Sequence, residues 1–425
     1  SRNRADWLLG VNSSYAICKA VGFGNNSLGR VQTPVLAEIC RRYRERENHM
    51  PADSWPVFIS LCKNDRILKM RHVDDLVVRR EALALYEDCK AAKSARITAV
   101  GKRTEEIGAP ALYNLAELQK DANRYHSLTA IQVQEIAQSL YEKKLISYPR
   151  TSSRLLPKDV YDTLPPVMEK MLSRKEFRQY AGMVDLAAPQ DSIGAQDTME
   201  HHAIIITGIQ PGKLGREEML VYTLIVGRVL ETFMPPCKVE YTTVDAVCAA
   251  RKFRIRTYRI LEKGWLGIFE REHLVAKGRM PYQVMPDLFQ EEMLPVAGCS
   301  LIHKKSLPVS PYTDEELVNY MDKAGLGTVS TRTNILRTLL ERKYIRYSGK
   351  YVVPTPKGLF LYETVRGMKV ADASLTSGWE TELARIERGE LSQGKFLDGV
   401  LETVNEVTGE IFRNHPVEKR PQGTT

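Results

Sequence analysis

Tyr148 and Arg150 are the residues of this sequence whose types and spacing point most directly to chemistry. They lie in residues 141–157, which read YEKKLISYPRTSSRLLP. Pro149 stands between them; it lacks a backbone donor and pushes the preceding residue toward extended geometry. Because side chains two positions apart in an extended segment point to the same side, both residues can act on one target. A phenol next to a fixed cation is a candidate nucleophile for a phosphodiester.

A cation is needed because a free phenol is a weak nucleophile at neutral pH. Tyrosine has an ordinary pKa near 10, so only about one molecule in a thousand is ionised at pH 7. Lowering a phenol pKa to about 8 requires roughly 2.7 kcal/mol, which a guanidinium about 4 Å away can supply. We therefore expect Arg150 to act on the phenolate, on the phosphate or on the charge that develops between them. On the elbow alone, a structural turn is the preferred interpretation, since most Tyr-Pro pairs are turn aromatics.

The elements around this elbow must hold it in place. Thr129 and Gln132 form a predicted capping box, and the apolar stripe that follows predicts a helix ending just before Tyr148. Two further helices and a hairpin turning at Ser348 and Gly349 resemble a winged-helix module. Asn26 is a candidate helix cap. Predicted helices cover residues 1 to about 52, 115–146, 218–233, 313–324, 330–342 and 375–415, and predicted β-rich stretches cover 54–109 and 242–272.

Composition limits the classes of protein to consider. A chain of 425 residues is too long for one compact core, so we expect roughly two to four domains. The 43% apolar content is that of a globular protein, and the last ten residues are predicted to be disordered. Seven scattered cysteines without a C-x-x-C pair argue against a disulfide framework and against a zinc site. No signal peptide or membrane-spanning run is seen, so we expect a soluble, cytoplasmic protein.

The charge of the chain fits a polyanionic partner. Its 61 basic and 52 acidic residues give a net charge of +9. One segment, RKFRIRTYR, would place Lys252, Arg254, Arg256 and Tyr258 on one face of a strand. A solvated strand face and a DNA contact are equally good interpretations of that segment.

Around the elbow, the run LYEKKLISYPRTSSRLLP resembles the active-site region of type IA DNA topoisomerases, above all of the topoisomerase III branch. Other motifs match that family in the same order along the chain: SRNRADWLLGVNSS, SLGRVQTPVLAEICRRYRE, HHAIIIT, VYTLIVGRVLETFMPP and GLGTVSTRTNILRTLLERKYI. Each motif alone is a weak signal, but their joint order is specific. The resemblance therefore favours chemistry at Tyr148 over a structural turn.

The resemblance implies roles for particular residues. Tyr148 would form a 5′-phosphotyrosine and leave a free 3′-hydroxyl, with Arg150 beside it. His201 would contact the phosphate or relay protons, and His202 stays a second candidate for that role. Trp7 is expected to pack within its helix. The residues that match the family's DNA-binding positions are Arg4, Asn12, Ser27, Arg30, Gln32 and Thr33, of which Arg30 is expected to grip a phosphate through two hydrogen bonds and Ser27, Gln32 and Thr33 to form neutral ones.

The sequence departs from the family pattern in three places. Ser152 stands where the family commonly has an acidic residue, which puts a proton-transfer role for that position in doubt. Ile206 stands where proline is usual. The family's Toprim domain, with its glutamate, lysine and D-x-D-x-E cluster for Mg²⁺, has no counterpart here. We therefore expect a fragment whose parent uses Mg²⁺ in the Toprim domain, with no metal site in this chain and no activity of the fragment alone.

The fold class implied by the resemblance is α+β and multidomain. It is the type IA toroid, open without Toprim, with a helical base, a β-rich arch and winged-helix-like modules. The expected domains are the base at 1–54 and 307–425, the arch at 55–109 and 210–306, and the tyrosine domain at 110–209.

The implied function is cleavage of one DNA strand, passage of another and religation without ATP, with a part in DNA recombination. Implied partners are single-stranded DNA in preference to duplex and the protein's own Toprim domain, with no membrane; the protein is expected to be a monomeric, nucleoid-associated enzyme. Two alternatives stay open. One is a winged-helix DNA-binding regulator that uses Leu317 to Pro356, and the other is a catalytically inactive topoisomerase paralogue from a mobile element.

Overall fold

The computed structural model describes residues 1–21, 26–175, 177–185, 201–278 and 280–415. Short 3₁₀ turns lie at Arg178–Tyr180, Gly264–Gly267, Glu272–Leu274 and Lys369–Ala371. The helices are α1 (Arg2–Val21), α2 (Gln32–Glu47), α3 (Arg79–Ala91), α4 (Leu115–His126), α5 (Ala130–Glu142), α6 (Lys158–Tyr161), α7 (Leu164–Leu172), α8 (Arg216–Thr232), α9 (Asp314–Lys323), α10 (Val329–Glu341), α11 (Pro356–Val365), α12 (Ala373–Glu387) and α13 (Gln393–Asn414). The strands are β1 (Asp53–Ser54), β2 (Val57–Lys63), β3 (Arg66–His72), β4 (Ser94–Ile107), β5 (Cys237–Cys248), β6 (Arg251–Glu262), β7 (Met293–Leu301), β8 (Lys304–Lys305), β9 (Tyr312–Thr313), β10 (Ile345–Ser348) and β11 (Tyr351–Pro354).

The two β-rich parts of the chain combine into one closed antiparallel barrel. Its strand order is β2-β3-β6-β5-β4-β7, so strands from residues 57–107 and strands from 237–301 are interleaved around the barrel. Inward side chains such as Ile59, Phe253 and Ile255 are buried, while Arg254 and Arg256 of β6 face outward. The predicted alternation of β6 is confirmed except at Tyr258, which is buried although it lies on the outward face.

Three local predictions were wrong. The stretch 54–109 contains the helix α3, whose sequence RREALALYEDCKA is rich in helix-forming residues and buries Ala82, Leu85 and Cys89. Asn26 does not cap α2, which begins after Val31 without a side-chain cap. The β-rich stretch expected at 242–272 ends with β6, and a 3₁₀ turn follows at Gly264–Gly267, where Gly264 takes a positive φ and a Cβ would clash with the Pro235 carbonyl oxygen.

A second core joins the two ends of the chain. Buried side chains of α1 and α2 pack with those of α9 to α13. Within this body, α9, α10 and the β10–β11 hairpin form the predicted helix–turn–helix and hairpin, with β9 as a third strand. Gly349 supplies the positive φ at the hairpin turn. The last ten residues, for which disorder was predicted, lie outside the described part of the chain.

A third core surrounds the segment that carries Tyr148. It is built from α4, α5, α7 and α8, together with residues 203–206. The expected domain boundary between residues 209 and 210 therefore separates α8 from the core that it completes. Among the described helices, none is long and apolar enough to cross a membrane.

Candidate active site

The helix α5 delivers the tyrosine elbow to its place. The predicted capping box is confirmed, because Thr129 Oγ1 accepts from Gln132 N while Gln132 Oε1 accepts from Thr129 N. At the other end Lys144 takes a positive φ, and Leu145 N donates to Leu140 O at 3.0 Å. The chain therefore turns sharply out of the helix just before the elbow, as in a glycine-type C-cap.

A carboxylate on α8 fixes the last turn of α5. Glu218 Oε1 accepts hydrogen bonds from Ser139 Oγ at 2.7 Å and from Lys143 Nζ. These two bonds, with one from Gly215 N, lower the pKa of Glu218 to about 2. The end of the helix that precedes Tyr148 is thus tied to the core by an ionised group.

Two hydroxyl side chains bind the elbow to residues 201–206. Ser147 Oγ donates to Ala203 O at 3.0 Å and accepts from Ile205 N at 2.9 Å. Thr151 Oγ1 donates to His201 O at 3.0 Å. Because Ser147 and Thr151 flank the Tyr148–Arg150 segment, the three residues between them are held at both ends.

This arrangement brings Tyr148 and His201 together. Their ring centroids lie 4.4 Å apart, with 49° between the ring planes. Tyr141 contacts the phenol ring edge-on at 5.5 Å. No described residue forms a hydrogen bond with the Tyr148 hydroxyl. The phenol is held by its ring and by its backbone, which leaves its oxygen available to a substrate.

The neighbouring histidine is turned away from the phenol. His202 Nδ1 lies 2.7 Å from Ala203 O, and no ring contact joins it to Tyr148. His201, by contrast, is exposed apart from its contact with the phenol ring. Of the two candidates, the structure therefore places His201 beside the tyrosine.

The Arg150 guanidinium has no partner among the described residues. The side chain is half-buried, its Nε is buried without a hydrogen bond, and no described carboxylate pairs with it. A buried donor without an acceptor is costly, at about 1–3 kcal/mol. An anionic ligand would supply the missing acceptor.

Arg30 has the opposite surroundings. Its side chain is 3% exposed, and it forms ion pairs with Asp6 at 2.6 Å and Glu380 at 2.9 Å. Thr376 Oγ1 also donates to the Arg30 carbonyl at 2.7 Å. In this structure the guanidinium holds α1, α2 and α12 together, and a phosphate contact would require it to leave a carboxylate.

The other predicted DNA-binding residues lie around the start of α2 and along α1. Thr33 is buried and accepts from Gly29 N at 2.9 Å. Ser27 N donates to Tyr344 Oη at 2.8 Å, and Gln32 Nε2 donates weakly to Ser27 Oγ at 3.4 Å. Arg4 and Asn12 are exposed on α1. Among the described residues, no hydrogen bond, ion pair or ring contact links this group to Tyr148, Arg150 or His201.

The expected packing of Trp7 was wrong. Trp7, Val11 and Tyr15 lie at helical spacing on one face of α1 and are 63%, 48% and 61% exposed. A groove of about 590 Å³ adjoins Tyr15, and Ser27, Arg342, Lys343 and Lys357 help to line it. Exposed aromatic rings beside cations are typical of single-strand binding surfaces.

Comparison with known proteins identifies the family. The family model for DNA topoisomerase matches residues 1–398 of the chain. The chain belongs to the type IA DNA topoisomerases.

Similar proteins agree with this assignment. DNA topoisomerase 1 of Methanocaldococcus jannaschii is 29% identical over 94% of the chain and 52% of its own length. DNA topoisomerase 3 of Bacillus licheniformis is 28% identical over 97% of the chain and 60% of its own length. Full-length topoisomerase I from Thermotoga maritima has the same fold, with a TM-score of 0.74 at 19% identity over 94% of the chain and 66% of that structure. The chain thus spans about half to two-thirds of the relatives it matches.

The winged-helix-like module of the chain packs against the neighbouring helices α4 and α5. On α10, Thr333 accepts from Gln119 of α4 at 3.1 Å, and Arg337 pairs with Glu135 of α5 at 2.7 Å. A DNA-reading helix needs a free face to enter the major groove. The packing of α10 against α4 and α5 therefore disfavours a regulator that reads duplex DNA through this module.

The described residues of the chain do not form a metal site. No group of three or more His, Cys, Asp or Glu among its residues could hold a metal ion. The Mg²⁺ that the resemblance implies is therefore not assigned to these residues.

Sequence reasoning missed Ser147 and Thr151. Neither residue belongs to a local sequence motif. Ser147 binds the carbonyl of Ala203, 56 positions away, and Thr151 binds the carbonyl of His201, 50 positions away. The signal that would have indicated them is their position on either side of the Tyr148–Arg150 segment.

Proposed function

We propose that this chain carries the DNA-cleaving tyrosine and the single-strand-binding surface of a topoisomerase III-like type IA enzyme. The observation that carries the proposal is the Arg150 guanidinium, which lies two residues from Tyr148 and has no protein acceptor for its buried Nε among the described residues. A scissile phosphate at this place would satisfy that donor.

In the proposed reaction, the Tyr148 oxygen attacks the phosphorus of a DNA phosphodiester. A bond from phosphorus to the phenol oxygen forms, and the bond from phosphorus to the 3′-oxygen breaks. The phenol loses its proton and the 3′-oxygen gains one, so the products are a 5′-phosphotyrosine and a 3′-hydroxyl. One phosphodiester replaces another, so the reverse step can reseal the strand without ATP.

Three side chains have distinct parts in this step. Arg150 stabilises the negative charge on the non-bridging oxygens as it grows. His201, at 4.4 Å from the phenol ring, either donates the proton to the leaving 3′-oxygen or contacts the phosphate. Tyr141 packs against the phenol and limits its rotation.

The DNA strand is proposed to be held along the exposed face of α1. Trp7 and Tyr15 offer rings on which bases can stack, and Arg4 and Lys19 offer cations for phosphates. Ser27 lines the groove that Tyr15 adjoins, and Gln32, at the start of α2, donates to Ser27 Oγ. The buried Thr33 holds the turn before α2 by accepting from Gly29 N. Arg30 supports this surface by joining α1, α2 and α12.

Several finer features follow from the resemblance alone and stay predictions. They are the topoisomerase III-like subtype and its part in recombination, strand passage, a Mg²⁺ site in a Toprim domain, the monomeric state, a nucleoid location in the cytoplasm, and the inactivity of this chain without Toprim. Relatives named both topoisomerase 1 and topoisomerase 3 match the chain at similar identity, so the subtype rests on the motif around Tyr148.

Covalent trapping on denaturing gels tests the proposal. The chain, alone and mixed with a separately expressed Toprim domain, is incubated with a single-stranded oligonucleotide labelled at one end. A 5′-phosphotyrosine carries the 3′-end label with the protein, while a 5′-end label stays on the released fragment. Tyr148→Phe should lose the adduct and retain DNA binding.

Tyr141→Phe is the matched control, since it removes the neighbouring phenol hydroxyl and should keep the adduct. An adduct that persists in Tyr148→Phe, or one that carries the 5′-end label, would contradict the assignment. So would the lack of any adduct both with and without Toprim.

A further inference from the structure

Two cavities that share three lining residues open on the outer wall of the barrel. Their volumes are about 470 and 580 Å³, and Arg256, Lys277 and Met280 line both of them. We refer to the two cavities together as the barrel groove. Its basic lining residues are Arg71, Lys102, Arg103, Arg254, Arg256 and Lys277.

The strand register explains why the groove is open. Arg256 on β6 lies opposite Thr243 on β5, and Thr243 lies opposite Gly101 on β4. The side chain of Thr243 is short and Gly101 has none, so little side-chain volume covers the wall at these two positions. A Cβ added at Gly101 would meet only the Thr243 carbonyl oxygen, at 4.0 Å. In the neighbouring row, the long side chains of Arg254 and Arg71 form one side of the groove.

The charge of the groove is one-sided. No aspartate or glutamate is among the described residues that line it. Arg254 is held by Asp245, and Lys277 and Arg103 share Glu105. The pairs of Arg71 and Lys102 involve Asp75 and Asp287, which are 75% and 92% exposed and therefore hold their partners weakly.

Arg256 differs from the other cations of the groove. It is exposed, and no described residue forms a hydrogen bond or an ion pair with it. Asp245 lies opposite Arg254 on the neighbouring strand, and both of its oxygens accept from Arg254. The Arg256 guanidinium therefore presents its donors to the groove.

We propose that the barrel groove binds the phosphate backbone of a second DNA segment, separate from the strand at Tyr148. This inference rests on the proposed function for its choice of DNA. Arg256 is the central contact, and Lys277, Lys102 and Arg103 extend the contact along the wall. The groove would hold DNA that is not being cleaved.

The chemistry of the groove favours phosphates over an acidic protein. Protein interfaces depend on buried aromatic or aliphatic anchors at their centre. Here the centre is an unpaired guanidinium over a low row of Thr243 and Gly101, and Met280 is the apolar side chain common to both cavities. Outward side chains of one strand recur about every 6.8 Å, which suits a regular line of anions. Guanidinium groups bind phosphates through two hydrogen bonds.

Salt-dependent DNA binding tests the proposal. The full chain is titrated by fluorescence anisotropy with a labelled duplex and with a labelled single strand of equal length, over a range of salt concentrations. Arg256→Ala removes one phosphate-binding cation, so it should weaken binding and reduce the slope of log K against log salt by about 0.9 for duplex or about 0.7 for a single strand. Gly101→Leu should weaken binding by filling the groove, although it leaves the charge unchanged.

Arg96→Ala is the control. It removes one positive charge from the same barrel, but Arg96 pairs with Glu291 and does not line the groove. It should leave the affinity and the slope as in the parent chain. Equal affinities and slopes for Arg256→Ala, Gly101→Leu and the parent would overturn the proposal. The proposal would also fail if polyglutamate displaced the labelled DNA at a concentration at which unlabelled duplex DNA does not.

The covalent assay separates this proposal from the proposed function. Arg256→Ala should form the Tyr148 adduct with a short single strand as well as the parent does, because Arg256 is not part of that site. If the parent forms no adduct and Arg256→Ala still lowers the salt slope, the proposed function fails and DNA binding in the groove stands. If the adduct forms and the slope does not change, the groove proposal alone fails.

Discussion

The imidazole ring of His201 lies against the phenol ring of Tyr148, with 4.4 Å between the ring centroids. The two residues are far apart in sequence, and Ser147 and Thr151 bring them together by binding the backbone of Ala203 and His201. The position of the histidine is therefore set by the same hydroxyls that hold the elbow. Proton transfer and nucleophilic attack can then take place on one phosphate.

His201 is predicted to donate a proton to the leaving 3′-oxygen. His201→Gln should reduce adduct formation by about 100-fold on ordinary DNA. On an oligonucleotide with sulfur in place of the scissile 3′-oxygen, the loss should disappear, because a thiolate leaves without a proton. Single-turnover adduct formation on the two substrates measures the difference. His202→Gln is the control and should behave as the parent on both.

If the sulfur-substituted oligonucleotide did not restore adduct formation by His201→Gln, the result would point to the other role of His201, a contact with the phosphate. If His202→Gln lost activity and His201→Gln did not, the assignment of the two histidines would be reversed.

Arg150 is predicted to act through a positioned charge. Arg150→Ala should reduce adduct formation by about 100- to 1,000-fold, the range expected for removing one donor from a developing oxyanion. Arg150→Lys keeps the charge but loses the planar guanidinium, so its rate of adduct formation should lie between those of Arg150→Ala and the parent. Lys158→Ala removes an exposed cation already paired with Asp162 and should have no effect. Equal rates for all four proteins would make Arg150 structural.

Arg30 is predicted to affect stability more than DNA contact. Arg30→Ala leaves Asp6 and Glu380 without their buried partner and should lower the free energy of unfolding by about 2 kcal/mol. Arg2→Ala removes a more exposed cation from the same Glu380 and should cost about 0.5 kcal/mol. Urea unfolding compares the variants. An unchanged stability with a salt slope lowered by about 0.7 would restore the phosphate role expected from the sequence.

Local sequence signals predicted those parts of the site that depend on neighbouring residues. The capping box of Thr129 and Gln132 and the outward cations of β6 needed only a short window of sequence, and both are confirmed. The links from Ser147 to Ala203 and from Arg30 to Glu380 join residues distant in the chain, so no periodicity indicates them. The exposure of Trp7 was missed because helical spacing alone does not say which face a neighbouring element covers.

Trp7 is predicted to stack on a base of the bound strand. Trp7→Ala should weaken single-strand binding by about 1–3 kcal/mol, the value typical of one base–aromatic stack. Because the side chain is 63% exposed, the free energy of unfolding should stay nearly the same. Trp379→Ala is the contrast, since Trp379 is buried against Phe396 and its loss should destabilise the fold. Anisotropy with an oligothymidylate and urea unfolding separate the two effects.

A buried charge cluster next to the candidate active site should make stability depend on pH. Arg228 of α8 and Arg271 meet Asp121 and Glu231 beside the buried Tyr113. Tyr113 also bridges Ile204 in the segment that follows His201. The cluster therefore supports the backbone of the segment that follows His201.

Glu231 is the group whose titration should be visible. Burial raises its pKa from an ordinary 4.5 to about 7, although Arg271 and Arg228 act in the opposite direction. Between these two values the folded state holds a proton that the unfolded state has released. The free energy of unfolding should therefore fall as the pH rises from about 4.5 to about 7, by about 3 kcal/mol.

Glu231→Gln isolates this contribution, because it keeps the shape of the side chain but cannot titrate. Urea unfolding of the parent and the variant at several pH values across that range gives the difference between their stabilities. The variant should lack the fall, so its stability relative to the parent should increase with pH. Other carboxylates titrate equally in both proteins and cancel in the comparison. A parent whose stability relative to the variant rises with pH would mean that Glu231 is ionised in the fold and paired with the two arginines throughout.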